Sequence, residues 1–344
     1  MSSSDEKQQQ QQPPQPLALP IIDAHVHLYP AAEADSLAWC APDHPLRGER
    51  SVAEYTAASR TSPTSLLGFV LVESDRRHDL DAPDAASGWA APLQEVRFFR
   101  RVALGDDDDD DAGKLCLGMI PWAPLPSGPA ILERYLDCVR EEVGEAAWPR
   151  VRGFRYLLQD KPAGTMTADA FVDGLKLLGR RGFVFEVAVD QHRRGKRQLD
   201  EVVDMIARAH EGVPEAERVT FVLNPSFHAW RTAMYALSSA SRTYMKLSGG
   251  FSEMPASLRR QPASHIFQST LGWLGIVLAT FGPERIMFGS DWPVCTLGAA
   301  EEDEEEAAWP KWKDVVEKMC WMASLTDEQR AMIFGGTAKK AYGL

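Results

Sequence analysis

Cysteine is scarce in this sequence, and no two cysteines lie close together. The chain has an odd number of them and no CxxC pair; they are Cys40, Cys116, Cys138, Cys295 and Cys320. Neither a disulfide framework nor a thiolate zinc site of the usual spacing is compatible with this scatter. We therefore expect a protein of a reducing compartment.

The chain also has no excess of positive charge and no long apolar run. The 37 Lys and Arg residues face 49 Asp and Glu residues, which gives a net charge of −12 and a sequence pI near 5.2. This balance argues against nucleic acid or an anionic membrane as a partner. No uninterrupted apolar run reaches membrane-spanning length, and the first twenty residues contain no apolar segment of signal-peptide length. We expect a cytoplasmic protein with a small-molecule partner; its oligomeric state is open, a homo-oligomer included.

The N-terminal segment differs in composition from the rest of the chain. Residues 1–18 are rich in Gln and Pro, cannot bury apolar surface, and are predicted to be disordered. Residues 19–344 are long enough to form one large domain, and their length is typical of a single α/β barrel. We therefore predict one folded domain from residue 19 to residue 344.

Eight short apolar segments predict buried β-strands. They cover residues 21–27, 65–74, 115–123, 151–158, 183–189, 218–224, 244–250 and 285–292. Most are rich in strand-forming residues, as expected for strands buried on both faces, and several of the gaps carry helical patterns. Alternating strands and helices in this number predict a (β/α)8 TIM barrel of the α/β class, with an active site at the C-terminal ends of the strands.

The first strand carries an HxH motif within "IIDAHVHLYP". Strand alternation predicts that His25 and His27 share a face with Asp23. Two imidazoles converging on one spot are typical of a metal site or of a pair that polarises a substrate. A hydrogen-bonded pair of strand-end histidines remains the alternative.

Further polar residues stand where the other predicted strands end. They are Glu73, Arg155, Gln159, Asp190, His192, Asn224, Ser248, Asp291 and Trp292. In a TIM barrel these positions meet at one face of the molecule. The sequence therefore predicts a single site assembled from many strands.

Several motifs together resemble a known family. The strand-one HxH, "VRGFRYLLQD", "YMKLSGGFSE", "FGPERIMFGSDWPV" and "IFGGTAKKAYGL" are similar to the amidohydrolase-related (amidohydrolase 2) family, in its sugar-lactonase branch of L-rhamnono-γ-lactonase and L-fuconolactonase type. The resemblance covers roughly residues 20–344. It implies a TIM barrel and a hydrolase that opens a sugar-acid lactone, as in L-rhamnose catabolism. It does not fix the cofactor: one divalent metal such as zinc, or none, is compatible with it.

The resemblance and the chemistry of lactone hydrolysis suggest a role for each candidate. Asp291 is the best candidate for the base that activates water. His25 and His27 would either polarise the carbonyl directly or, with Asp291, hold the metal. Arg155 is a candidate for binding substrate oxygens, and its alternative is a structural ion pair with Glu73 or Asp160.

The remaining candidates are substrate-binding ones. Gln159 and Glu73 stand at strand ends, and His192 could supply a third imidazole or lie on the surface. Trp292 could stack on a sugar ring, as could Trp122, but core packing is the alternative for both.

The chain departs from the family pattern at strand six. Similar proteins place a histidine there, followed by a loop of the type "HLCKP", whereas this chain reads "FVLNPSFHAW", with Asn224 at the strand end and His228 further on. A metal ligand or carbonyl polariser is therefore missing. An amidohydrolase-like decarboxylase, another ring hydrolase and a catalytically impaired ligand-binding barrel stay open as alternatives.

Overall fold

A computed structural model describes residues 19–60, 65–82, 85–105, 110–190, 195–225, 231–298 and 302–344. The predicted disordered tail lies outside these ranges and stays a prediction. The strands are β1 (Pro20–Val26), β2 (Ser65–Val72), β3 (Cys116–Ile120), β4 (Gly153–Arg155), β5 (Val184–Val189), β6 (Thr220–Pro225), β7 (Thr243–Leu247) and β8 (Ile286–Phe288). Each overlaps its predicted segment and extends at most one residue beyond it.

Helices fill the connections between the strands. They are α1 (Val52–Arg60), α2 (Ala85–Gly88), α3 (Ala90–Leu104), α4 (Asp110–Leu115), α5 (Pro129–Ala147), α6 (Asp169–Arg180), α7 (Lys196–His210), α8 (Arg231–Ser238), α9 (Ala256–Arg259), α10 (Ala263–Phe281), α11 (Glu302–Met322), α12 (Asp327–Ala331) and α13 (Thr337–Tyr342). Within the described ranges, none of them combines the length and apolar character that crossing a membrane requires.

All strand pairings are parallel, in the orders β1-β2-β3 and β4-β5-β6-β7-β8. Isolated bridges and a few backbone hydrogen bonds close the two seams between these groups. At one seam the Arg155 N–H donates to the Pro121 carbonyl at 2.9 Å, and at the other the His27 N–H donates to the Trp292 carbonyl at 2.8 Å. The predicted TIM barrel is thus confirmed, and its strand ends converge on one face.

The barrel interior is filled by inward-pointing apolar residues from the strands. Ile22, Val70, Val184 and Val222 belong to one buried cluster that also contains residues of α13. Helix α13 therefore packs against this interior cluster, and Tyr342 of that helix reaches the polar layer above it. A larger apolar cluster lies between the strands and the surrounding helices.

Strand β1 is irregular, and the irregularity corrects one prediction. Asp23 does not share a face with the two histidines: it accepts hydrogen bonds from Tyr55 Oη at 3.0 Å and Trp309 Nε1 at 2.8 Å, on α1 and α11. The pairing of β1 with β2 shifts register between Asp23 and Val26. Such a shift breaks the simple alternation, so Asp23 contacts the helical layer while His25 and His27 face the site.

Candidate functional site

A cavity of about 360 Å³ opens at the C-terminal ends of the strands. Most of the polar strand-end residues predicted from the sequence line it: His25, His27, Arg155, Gln159, Asp190, Asn224, Ser248 and Asp291. They come from six strands or the segments that follow them. The barrel therefore brings residues that are far apart in sequence into one site.

His25, His27 and Asp291 form a compact triangle in this cavity. The Nε2 atoms of the two histidines lie 3.1 Å apart. Asp291 Oδ1 lies 3.3 Å from Nε2 of His25 and 3.6 Å from Nε2 of His27. Ligand atoms around a tetrahedral zinc ion with bonds of about 2.1 Å lie about 3.4 Å apart. The spacing fits a divalent ion, and within the described residues these three form the one His/Cys/Asp/Glu group able to hold a metal.

The hydrogen bonds at the Nδ1 atoms of the two imidazoles favour different tautomers. His27 Nδ1 lies 3.0 Å from the Val72 carbonyl, so this nitrogen carries the proton and Nε2 keeps its lone pair. His25 Nδ1 instead lies 2.7 Å from Nζ of Lys246. A protonated lysine only donates, so neutral His25 carries its proton on Nε2 and donates it towards His27. Such an arrangement is suited to a hydrogen-bond donor, and it opposes a metal on His25.

Lys246 belongs to a fully buried ionic network beneath the triangle. Its Nζ lies 2.7 Å from both carboxylate oxygens of Glu186, and Tyr342 Oη donates to Glu186 Oε1 at 2.5 Å. Burial lowers the pKa of Lys246 to about 8, against the opposing effect of Glu186. Burial and the nearby cations of Lys246 and Arg155 hold the pKa of His25 well below its usual value, which keeps its imidazole neutral.

Sequence reasoning missed this network. The signal was present, because Glu186 is the one charged residue in "FVFEVAV" and Lys246 the one in "YMKLSGG". A lone charge in a strand buried on both faces needs a partner. An ion pair between Glu186 and Lys246 could therefore have been predicted from the sequence, because the two strands carry lone charges of opposite sign.

Arg155 forms the ion pair that the sequence offered as one alternative. Its Nε donates to Glu73 Oε1, and its Nη2 donates to the Glu73 carbonyl at 2.7 Å. Arg155 also lines the cavity, whereas Glu73 is fully buried and does not. The ion pair therefore fixes the Arg155 guanidinium at the cavity wall, and Glu73 holds it from the buried side.

Two other substrate-binding candidates are placed elsewhere. Trp292 is 3% exposed, does not line the cavity, and packs edge-on against Tyr55 with ring centroids 5.7 Å apart. Trp122 packs in the same edge-on manner against Tyr135. Both follow the core-packing alternative. His192 and His228 lie outside the described residues.

The end of β6 presents an amide where the family pattern has an imidazole. Asn224 lines the cavity, and its Oδ1 accepts a hydrogen bond from Ser248 Oγ at 2.9 Å. A Cβ added to Gly249 would lie 3.6 Å from Asn224 Oδ1 and 3.5 Å from Asp291 Oδ2. Asn224 and Asp291 therefore both border Gly249, so the end of β6 lies near the Asp291 corner of the triangle.

The segment after β1 supplies an aromatic wall that sequence reasoning did not predict. Tyr29, Trp39 and His44 line the cavity, and Trp39 packs edge-on against both other rings. Trp39 Nε1 donates to the Ser74 carbonyl at 2.8 Å, which fixes the indole. Sugar rings present apolar faces that suit such a wall.

The model of the Amidohydrolase family matches residues 22–344. An L-rhamnono-gamma-lactonase of Scheffersomyces stipitis is 31% identical to this chain over 346 residues, covering 94% of this chain and 98% of that protein. An L-fucono-1,5-lactonase of Burkholderia multivorans is 33% identical over 219 residues, covering 59% of this chain and 67% of that protein.

Among solved structures, an amidohydrolase of Burkholderia multivorans with bound zinc has a TM-score of 0.65 and 25% identity, covering 94% of this chain and 99% of that one. The predicted family relationship is confirmed by these matches.

Proposed function

We propose that this chain, which belongs to the amidohydrolase family, hydrolyses a sugar-acid lactone of the L-rhamnono-γ-lactone kind. The observation that carries the proposal is the triangle of His25, His27 and Asp291 in the cavity. It combines a carboxylate with two imidazoles at hydrogen-bonding distances, which is the set that ester hydrolysis by water needs. The two lactonase relatives support the substrate class.

Asp291 is the base in this proposal. Its carboxylate accepts a proton from the attacking water, whose oxygen forms a bond to the lactone carbonyl carbon. Negative charge then develops on the carbonyl oxygen. His25, with its Nε2 proton fixed by Lys246, donates a hydrogen bond to that oxygen, while Arg155 at the cavity wall holds hydroxyl or carboxylate oxygens of the substrate.

A divalent metal is a second way to use the same three residues. His25, His27 and Asp291 would hold the ion, which supplies a Lewis acid for the carbonyl and lowers the pKa of bound water. The contact of Lys246 with His25 Nδ1 and the amide at the end of β6 both weaken this ligand set. We therefore propose weak or substoichiometric metal binding and a reaction that continues without it.

The alternatives predict different products. A decarboxylase of the same fold would release carbon dioxide, and a catalytically impaired barrel would bind lactones without turnover. Arg155, Gln159 and the aromatic wall suit any polar ring ligand, so they do not separate these functions. The Asp291 carboxylate beside two imidazoles favours hydrolysis.

The test is a panel of sugar-acid γ- and δ-lactones incubated with the purified protein. Acid release would be followed by titration at constant pH, with and without added zinc, and carbon dioxide and metal content would be measured on the same samples. We expect acid without carbon dioxide, and activity that survives a chelator. Carbon dioxide release, or lactone binding with no acid, would replace the proposal by one of the two alternatives.

A further inference from the structure

Three carboxyl groups that line the cavity, those of Asp75, Asp190 and Glu253, have no role in the proposed hydrolysis. Asp75 lines the cavity, three residues beyond the end of β2, and is only partly buried. Hydrolysis of a lactone needs a proton for the leaving alkoxide as well as a base for water. The roles of Asp291, His25 and Arg155 in the proposed hydrolysis do not include delivery of that proton.

Asp75 and Asp291 share an unusual backbone conformation. Among the described non-glycine residues, positive φ occurs at Asp75 (φ 56°), Asp291 (φ 62°) and Ser324 (φ 52°). Two of these three are aspartates that line the same cavity. Left-handed backbone at a non-glycine residue is uncommon, and such residues cluster at functional sites.

Each of the two aspartates is held in place by its main chain. The Asp75 N–H donates to Glu73 Oε2 at 2.6 Å, and the Asp75 carbonyl accepts from the Ala38 N–H at 2.8 Å. The Asp291 N–H donates to the His25 carbonyl at 3.0 Å. These contacts fix both turns through the main chain and do not use the two carboxyl groups.

The two aspartates follow the strands on either side of β1. Strand β2 pairs with β1 directly, and the residue after Asp291 bridges to Val26 of β1. His27 spans the gap, with Nδ1 bonded to the Val72 carbonyl of β2 and Nε2 beside Asp291. The two aspartates therefore reach the cavity from strands on opposite sides of the one that carries the imidazole pair.

The Asp75 carboxyl is also free to act. No described residue donates a hydrogen bond to it or forms an ion pair with it. Burial, and then the neighbouring Glu73 carboxylate, raise the pKa of Asp75 to about 6, against the opposing effects of Arg155 and Lys161; Asp160 adds to the rise. A raised pKa is what a carboxylic acid needs to carry a proton near neutral pH.

We propose that Asp75 is a second catalytic carboxyl group, which donates the proton that the leaving alkoxide oxygen takes up. This inference rests on the proposed lactone hydrolysis. Asp291 takes one proton from water, hydroxide oxygen bonds to the carbonyl carbon, and the ring C–O bond breaks. The proton of Asp75 then goes to the ring oxygen, giving a hydroxyl group, and solvent returns the two aspartates to their starting states.

The test is the Asp75→Asn variant, assayed on a sugar-acid γ-lactone and on dihydrocoumarin. Asparagine tolerates positive φ and keeps the shape, but it cannot supply a proton. We expect a loss of about 10²- to 10⁴-fold on the sugar lactone. Dihydrocoumarin releases a phenolate, which leaves without protonation, so its hydrolysis should fall far less.

Two further measurements make the result decisive even if dihydrocoumarin is a poor substrate. Asp75→Gly suits the left-handed backbone and removes the carboxyl group, so it should lose the same activity as Asp75→Asn. The wild-type kcat/KM should fall above the pKa of the acid, and both variants should lose this alkaline limb. The other titratable groups lining the cavity, which remain in the variants, are His25, His27, Tyr29, His44, Arg155, Asp190, Glu253 and Asp291.

The matched control is Asp79→Asn, which removes an exposed carboxylate from the same segment outside the cavity lining. It should keep wild-type rates and the wild-type pH profile. If wild-type protein hydrolyses the sugar lactone and Asp75→Asn does so equally well, Asp75 is not the acid, whereas the proposed function stands. If the wild-type protein hydrolyses no lactone at all, both proposals fall.

Discussion

Nζ of Lys246 lies 2.7 Å from Nδ1 of His25, on the side of the imidazole away from Nε2 and Asp291. A histidine that binds zinc through Nε2 usually donates its Nδ1 proton to a carboxylate or carbonyl group. Here an ammonium group occupies that position, and the carboxylate of Glu186 stands behind it at 3.6 Å from Nδ1. The tautomer of His25 is therefore set for hydrogen-bond donation.

The first prediction is that Lys246→Met binds zinc more tightly than the wild-type protein. Without the ammonium group, Glu186 can accept the Nδ1 proton of His25, and Nε2 becomes a ligand. Second-shell contacts of this kind change metal affinity by about 10- to 100-fold. Isothermal titration with zinc would measure the change. Equal or weaker binding would show that Lys246 does not oppose the metal, and Lys196→Met, at an exposed position on α7, serves as a surface control.

A second prediction concerns the amide at the end of β6. Asn224→His adds an imidazole next to Asp291 and should raise zinc affinity, because imidazole is a better zinc ligand than an amide oxygen. Asn224→Ala removes the same amide without adding a ligand and should leave the affinity unchanged. Metal content after dialysis against limiting zinc would separate the two variants. If both behave like the wild type, the gap at strand six is not what limits the metal.

Much of the architecture follows from the sequence alone, because it depends on local patterns. Short apolar runs separated by helical segments located all eight strands, and the strand-end rule placed Asp291 in the same cavity as the HxH motif. The face of Asp23 was predicted wrongly because a register shift in β1 depends on pairing with β2, which no local pattern reveals.

The missed residues share a physical reason. Asp75 lies in a turn with positive φ after β2, and that turn is held by contacts with a distant segment, such as the hydrogen bond from the Ala38 N–H to the Asp75 carbonyl. Trp39 and His44 lie on a long connection whose path is fixed by tertiary contacts, such as the indole hydrogen bond to Ser74. Lys246 and Glu186 were visible as lone charges, but their partnership needed the strand order.

A third prediction uses the raised pKa of Asp75, about 6 in the folded protein against 3.8 for the ordinary side chain. The folded state holds this proton more tightly than the unfolded state. The resulting stabilisation is therefore complete below pH 3.8 and is lost as pH rises through 6. The wild-type protein therefore loses free energy of unfolding as pH rises, whereas Asp75→Asn has no carboxyl group there and does not. The free energy of unfolding of the variant minus that of the wild type should increase by up to about 3 kcal/mol between pH 4 and pH 8.

Urea unfolding of both proteins at a series of pH values would check this prediction. Glu95, whose pKa burial raises to about 7, titrates in both proteins and cancels in the difference. A stability difference that does not vary with pH would mean that Asp75 is not held protonated by the fold.

The base assignment is the central claim, and Asp291→Asn tests it most directly. The variant and the wild type would be treated with a chelator and compared by acid release from L-rhamnono-γ-lactone, with thermal melting to establish folding and Asp173→Asn, exposed on α6, as the control. We expect acid release by wild type and control, and a loss of about 10²- to 10⁴-fold in a folded Asp291→Asn. Near-wild-type turnover by Asp291→Asn would contradict the account.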